Sequence, residues 1–109
     1  MLLSASKGRK RYHEHLKEEE QKRKAEQIAR KHKTTHDELA TLKKRKITLN
    51  SDIDALVRSA DEYADKAEST RQVQLITKSN ALRRTAKDKK KEITDIDKNI
   101  ELLEAKLTE

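Results

Sequence analysis

From Leu39 onward the apolar residues recur at alternating spacings of three and four, and nothing else in the chain restricts its fold so tightly. Leu39, Leu42, Leu49, Ile53, Leu56, Ala60, Tyr63 and Ala67 share one heptad frame, with Lys46 as its polar exception. Taking Leu39 as position a places Leu42, Leu49, Leu56 and Tyr63 at d. A second series runs Leu75, Leu82, Ala86, Ile93, Ile96, Ile100, Leu103 and Leu107, interrupted by the polar Ser79 and Lys89. Such spacing draws a stripe down one helix face, whereas a strand alternates with period two. The residues between are mostly Glu, Lys, Arg, Gln and Ala, all good helix formers. With one Gly and no Pro, the chain lacks the residues that the tight turns of sandwiches, barrels and Rossmann units require.

The two stripes are out of register. The first frame places its next a position at 74 and the second at 72, so something interrupts the helix between Ala67 and Val73. Ser69 followed three residues later by Gln72 fits a capping box, which points to a turn near 68–72. A rival break lies at Lys78-Ser79-Asn80, and a continuous helix with a stutter is a third reading. Charge favours the turn. Residues 7–46 carry a net +8, residues 47–70 a net −4, residues 71–91 a net +7 and residues 92–109 a net −4. Folding back near residue 70 lays the acidic 47–70 block along the basic 71–91 block, and the acidic tail along the basic 32–46 stretch. A parallel, in-register dimer would set like against like.

Composition decides how much core such a hairpin can bury. Apolar residues make up 32% of the chain, below the roughly 45–50% usual for globular domains. High charge with low hydrophobicity marks disorder as well as coiled coils, and the heptads select the latter. Val57, Ile76 and Leu102, beside the d residues Tyr63 and Leu75, widen the stripe beyond strict a and d, as in a helix with two neighbours. The expected fold is therefore all-α, an elongated antiparallel coiled-coil helical hairpin that forms a helical bundle on self-association. Its oligomer seam is Leu42, Leu49, Ile53, Leu56, Tyr63, Leu75, Leu82, Ile93, Ile96, Ile100, Leu103 and Leu107. A homo-oligomer, with a dimer favoured, or a helical protein partner would supply the missing neighbours.

Residues 7–38 offer only Tyr12, Leu16, Ala25 and Ile28 as anchors, too few for a stable seam. Glu18–Lys22, Glu19–Arg23, Glu20–Lys24 and Glu26–Arg30 are favourable i,i+4 neighbours. The expected organisation is a flexible leader over 1–8, a basic, largely solvated helix over 9–38, and the hairpin over 39–109.

Basic clusters stand at Lys7-Gly8-Arg9-Lys10-Arg11, Lys22-Arg23-Lys24, Arg30-Lys31-His32-Lys33 and Lys43-Lys44-Arg45-Lys46. With a net charge of +7, these side chains are candidates for phosphate contact without sequence preference, namely Lys7, Arg9, Lys10, Arg11, Lys22, Arg23, Lys24, Lys43, Lys44, Arg45 and Lys46. Lys43–Lys46 also resembles a nuclear-import tetrapeptide. Glu18-Glu19-Glu20 dilutes the field, and aromatic residues for base stacking are nearly absent. A basic-zipper reading fails because no Asn occurs before Asn50 to read bases, and the charge blocks oppose a parallel dimer.

Other chemistries find little support. His32 and His36 sit one helical turn apart but have no Cys or third convergent ligand, so no metal is expected. A helical rod with a lone Gly has no phosphate loop or nucleophile elbow, so the expectation is no enzyme, no cofactor and no small-molecule substrate. No segment approaches the ~18 apolar residues of a membrane span. Met1-Leu2-Leu3 is too short for a signal peptide, so an intracellular setting is expected.

Ser59-Ala60-Asp61-Glu62-Tyr63-Ala64-Asp65-Lys66-Ala67-Glu68 and Leu75-Ile76-Thr77-Lys78-Ser79-Asn80-Ala81-Leu82-Arg83-Arg84 carry a resemblance. Together they resemble the helical coiled-coil tails of uncharacterised, transposon-associated or nuclear animal proteins, over most of residues 6–107. The resemblance implies a nuclear setting. It assigns no activity and no functional residue.

Overall fold

A computed structural model describes the backbone of residues 2–108 and the side chains of residues 11–108. The fold is all-α, with helix α1 over Leu2–Thr70 and helix α2 over Val73–Leu107. Two compact units divide at His36/Asp37. Unit 1, Met1–His36, is the first part of α1. Unit 2, Asp37–Glu109, is the helical hairpin made by the rest of α1 and by α2.

In unit 1, α1 is helical from Leu2, through the stretch 1–8 for which a flexible leader was expected. Gly8 is the only residue there with a strong intrinsic penalty, about 1 kcal/mol relative to Ala, too little by itself to stop a helix. The large apolar residues Tyr12, Leu16 and Ile28 are exposed, as a solvated helix requires. The expected ladder of Glu–Lys and Glu–Arg pairs is not closed. Among the described residues of unit 1 the close contact between a basic and an acidic side chain is His15 to Glu19, 3.2 Å. Pinning two long, hydrated side chains in one geometry gains little at an exposed site, so the other pairs stay open.

In unit 2 the two arms meet along the heptad stripes. Leu39, Leu49, Ile53, Ala60 and Ala67 of α1 are buried, as are Ser79, Ala86 and Ile96 of α2. The connection is two residues long. Ser69 and Thr70 turn their hydroxyls back to the carbonyl of Lys66, at 3.2 and 2.6 Å, and such local bonds compete with continuing the helix. Arg71 then adopts φ 57°, the left-handed conformation that reverses the chain. Glycine usually fills this position, because a Cβ there costs about 1–2 kcal/mol. Gln72 is extended, and its carbonyl accepts the Leu75 N–H at 3.1 Å.

The capping box is corrected by these contacts. Gln72 itself is the N-cap of α2 and its side chain makes no capping bond, while Ser69 belongs to the last turn of α1. Residues 78–80, the rival break, lie inside α2.

Candidate interaction surface

The polar exceptions in the two stripes turn out to be cross-helix ties. Ser79 occupies an a position on α2, is 2% exposed, and donates its hydroxyl to the Ala60 carbonyl across the seam at 2.8 Å. Arg83 donates to the Ser79 oxygen at 3.4 Å and to Asp61 at 3.0 Å. Lys46, at an a position on α1, reaches Asp97 at 2.6 Å. Lys89, at a d position on α2, reaches Asp52 at 3.6 Å. Long cations can lay their methylenes along the seam and keep their heads at its edge, where an acid of the other helix waits. Three polar interruptions thus specify one antiparallel register.

Each flank of the seam has its own chemistry. Positions e and b form one flank, and there Lys43 meets Glu104 at 4.0 Å, Lys46 meets Asp97, and Arg83 meets Asp61. Positions g and c form the other. There Arg45 holds Glu92 at 3.2 Å, and Lys78 lies 5.8 Å from the centre of the Tyr63 ring. The antiparallel alignment explains why these pairs occur: both arms change charge sign along their length, and in opposite senses.

Apolar surface is shared unequally between the flanks. Ile47 (70% exposed), Val73 (72%) and Ile76 (48%) all stand at e or b positions, and half-buried Val57 and Ala64 lie in the same columns. On the g and c flank the exposed large apolar residue is Leu102. An open groove of about 620 Å³ on the e and b flank is lined by Asn50, Ile53, Asp54, Val57, Arg58 and Lys90. Its counterpart on the other flank, beside Leu56 and Ser59, measures about 280 Å³.

Of the twelve expected seam residues, Leu49, Ile53 and Ile96 are buried in the hairpin itself. Leu42, Leu56, Tyr63, Leu75, Leu82, Ile93, Ile100, Leu103 and Leu107 are only half-buried. Ile47 and Val73 escape an a/d reading. The signal for Ile47 is the secondary column Ile47-Asn50-Asp54-Val57-Asp61-Ala64, where apolar residues are interspersed with polar ones on a single face.

The candidate phosphate contacts fall into two groups. Arg11, Lys22, Arg23 and Lys24 are exposed in unit 1 and take part in no ion pair among the described residues. The side chains of Lys7, Arg9 and Lys10 lie outside the described residues. In unit 2, Lys43, Arg45 and Lys46 are engaged with acids of α2, and Lys44 is exposed. Among the described residues no three His, Asp or Glu side chains group to hold a metal ion. No described helix is long and apolar enough to cross a membrane. Comparison with protein-family models, curated proteins and solved structures finds no match to this chain.

Proposed function

We propose that the chain is a non-catalytic helical interaction module that self-associates, most simply as a homodimer. One observation carries the reading: nine of the twelve seam residues remain half-buried when the hairpin is alone. A half-covered Leu or Ile keeps apolar area in contact with water. Burial contributes about 25 cal/mol per Å², so covering that remaining area with a second layer of helices would add stability. In unit 2 the exposed large apolar residues Ile47, Val73, Ile76 and Leu102 stand in columns beside the seam, which supports a protein-contact surface there. Light scattering across a concentration and salt series tests this. The expected mass is twice the 12.7 kDa of one chain, retained at high salt because apolar burial supplies most of the stability. A mass of one chain at every concentration would refute it.

A second reading is favoured by the unpaired cations of unit 1. Lys22, Arg23, Lys24, Arg30, Lys31 and Lys33 form no ion pair among the described residues, so they are available to a phosphate backbone. In this reading the module contacts nucleic acid without sequence preference, in a nuclear setting. Binding would weaken steeply with salt and would persist when Lys43, Arg45 and Lys46 are neutralised, since those are occupied within the hairpin. Absence of a mobility shift at low salt would end it.

A further inference from the structure

The e and b flank of unit 2 carries charge as well as apolar surface, and the charges left over after the internal pairs are counted have a pattern. On α1, Asp54 and Glu68 are exposed and unpaired. On α2, Lys87, Lys90 and, farther from the turn, Glu101 are exposed and unpaired among the described residues. The ties between Asp52 and Lys89 and between Asp61 and Arg83 show that Asp54 stands at the level of Lys87 along the hairpin. In the half of the hairpin nearer the turn the flank is thus a strip with an acidic edge on α1, a basic edge on α2, and Val57, Ala64 and Ile76 between them.

Resting on the self-association reading above, we propose that a second copy of this chain docks face to face on this flank, related by a two-fold axis parallel to the helices. That operation sets α1 of one copy over α2 of the other at the same level and antiparallel. Asp54 of each copy then faces Lys87 and Lys90 of the other, and the three apolar residues of each strip close the middle. A two-fold axis across the helices instead lays α1 upon α1 and α2 upon α2. With the axis midway between them, Asp54 of one copy would then crowd Asp61 of the other and Arg83 would crowd Lys87, and like charges so placed select against that assembly. The charge alternation that sets the fold of one hairpin is used a second time between hairpins. The product is a closed four-helix bundle with both turns at one end and every neighbouring helix antiparallel.

The chain has no cysteine, so single spin labels can be placed at will. Labels at Asn50→Cys and at Glu68→Cys, measured separately in the dimer, read the axis. With the axis parallel to the helices, both label pairs lie within about 20 Å, because diagonal helices of a bundle are about 14 Å apart at interaxial spacings of 8–10 Å. With the axis across them, the 18 residues between the sites force at least one pair to about 27 Å or more at 1.5 Å per residue. Ile76→Glu should weaken dimerisation at least about ten-fold with helicity intact, because Ile76 is exposed in the single hairpin. Leu102→Glu, on the other flank, should leave it unchanged. A dimer with one long label distance, or one dissolved by Leu102→Glu and not by Ile76→Glu, overturns this arrangement and leaves self-association standing. A wild-type chain that stays monomeric overturns both.

Discussion

Replacing Ser79 with leucine tests the packing near the turn, because the heptad pattern and the structure assign the change opposite signs. By pattern, Ser79 is a polar flaw at an a position, and filling it with leucine should gain about 1.5–3 kcal/mol of apolar burial. In the structure Ser79 is 2% exposed and faces Ala60, which is fully buried. Its hydroxyl is 2.8 Å from the Ala60 carbonyl, so the arms approach closely here and no space awaits an isobutyl group. Overpacking costs about 1–3 kcal/mol, and losing the hydrogen bond costs about 1 more. The expected loss is therefore about 2–4 kcal/mol, and Ser79→Ala should lose no more than about 1.5 kcal/mol. Thermal unfolding followed by the helical circular dichroism band, at one fixed concentration, reads both variants. At about 4–8 °C per kcal/mol for a unit of this size, leucine should lower Tm by roughly 8–32 °C. A raised Tm would refute the close approach.

Leu49 is the largest fully buried side chain, and Leu49→Ala should cost about 2–5 kcal/mol in urea unfolding; a loss below 1 kcal/mol would show that this layer is not packed as described. Arg71→Gly should stabilise the hairpin by about 0.5–1 kcal/mol, since glycine accepts the left-handed conformation more easily and gives back part of that gain in unfolded-state entropy. Gln72→Asp should add a similar increment by supplying the missing side-chain cap at the start of α2; a neutral or negative shift in Tm would count against the described turn. Lys46→Glu should destabilise by about 1 kcal/mol and the double change with Asp97→Lys should recover most of it, an outcome a double-mutant cycle measures.

Periodicity made the arms legible, and the register slip between Ala67 and Val73 located the turn, because both depend only on which residues share a helix face. The opposed charge blocks gave the antiparallel sense and reappear as Lys43–Glu104, Arg45–Glu92 and Asp52–Lys89. What escaped depends on distances between helices. Ser79 reads as an interruption until Ala60 is seen opposite it, where only a small residue fits and its hydroxyl finds a carbonyl. The N-cap escaped because Ser69, a better capper by residue type, sits on the wrong side of the left-handed Arg71. Ile47 lies off the a/d stripe, and its significance depends on sharing a flank with Val57, Val73 and Ile76. The local Glu–Lys pairs of unit 1 were overestimated, since spacing permits a pair without making it favourable in water.

The hairpin itself is tested most directly by a distance within one chain. A chain carrying Asn50→Cys and Lys91→Cys, spin-labelled at both and diluted in excess unlabelled protein, reports how far the two arms stand apart. Antiparallel packing at interaxial spacings of 8–10 Å predicts a label separation of about 15–25 Å. A separation near 60 Å, the length of 41 residues of unbroken helix at 1.5 Å each, would contradict the fold and everything built on it.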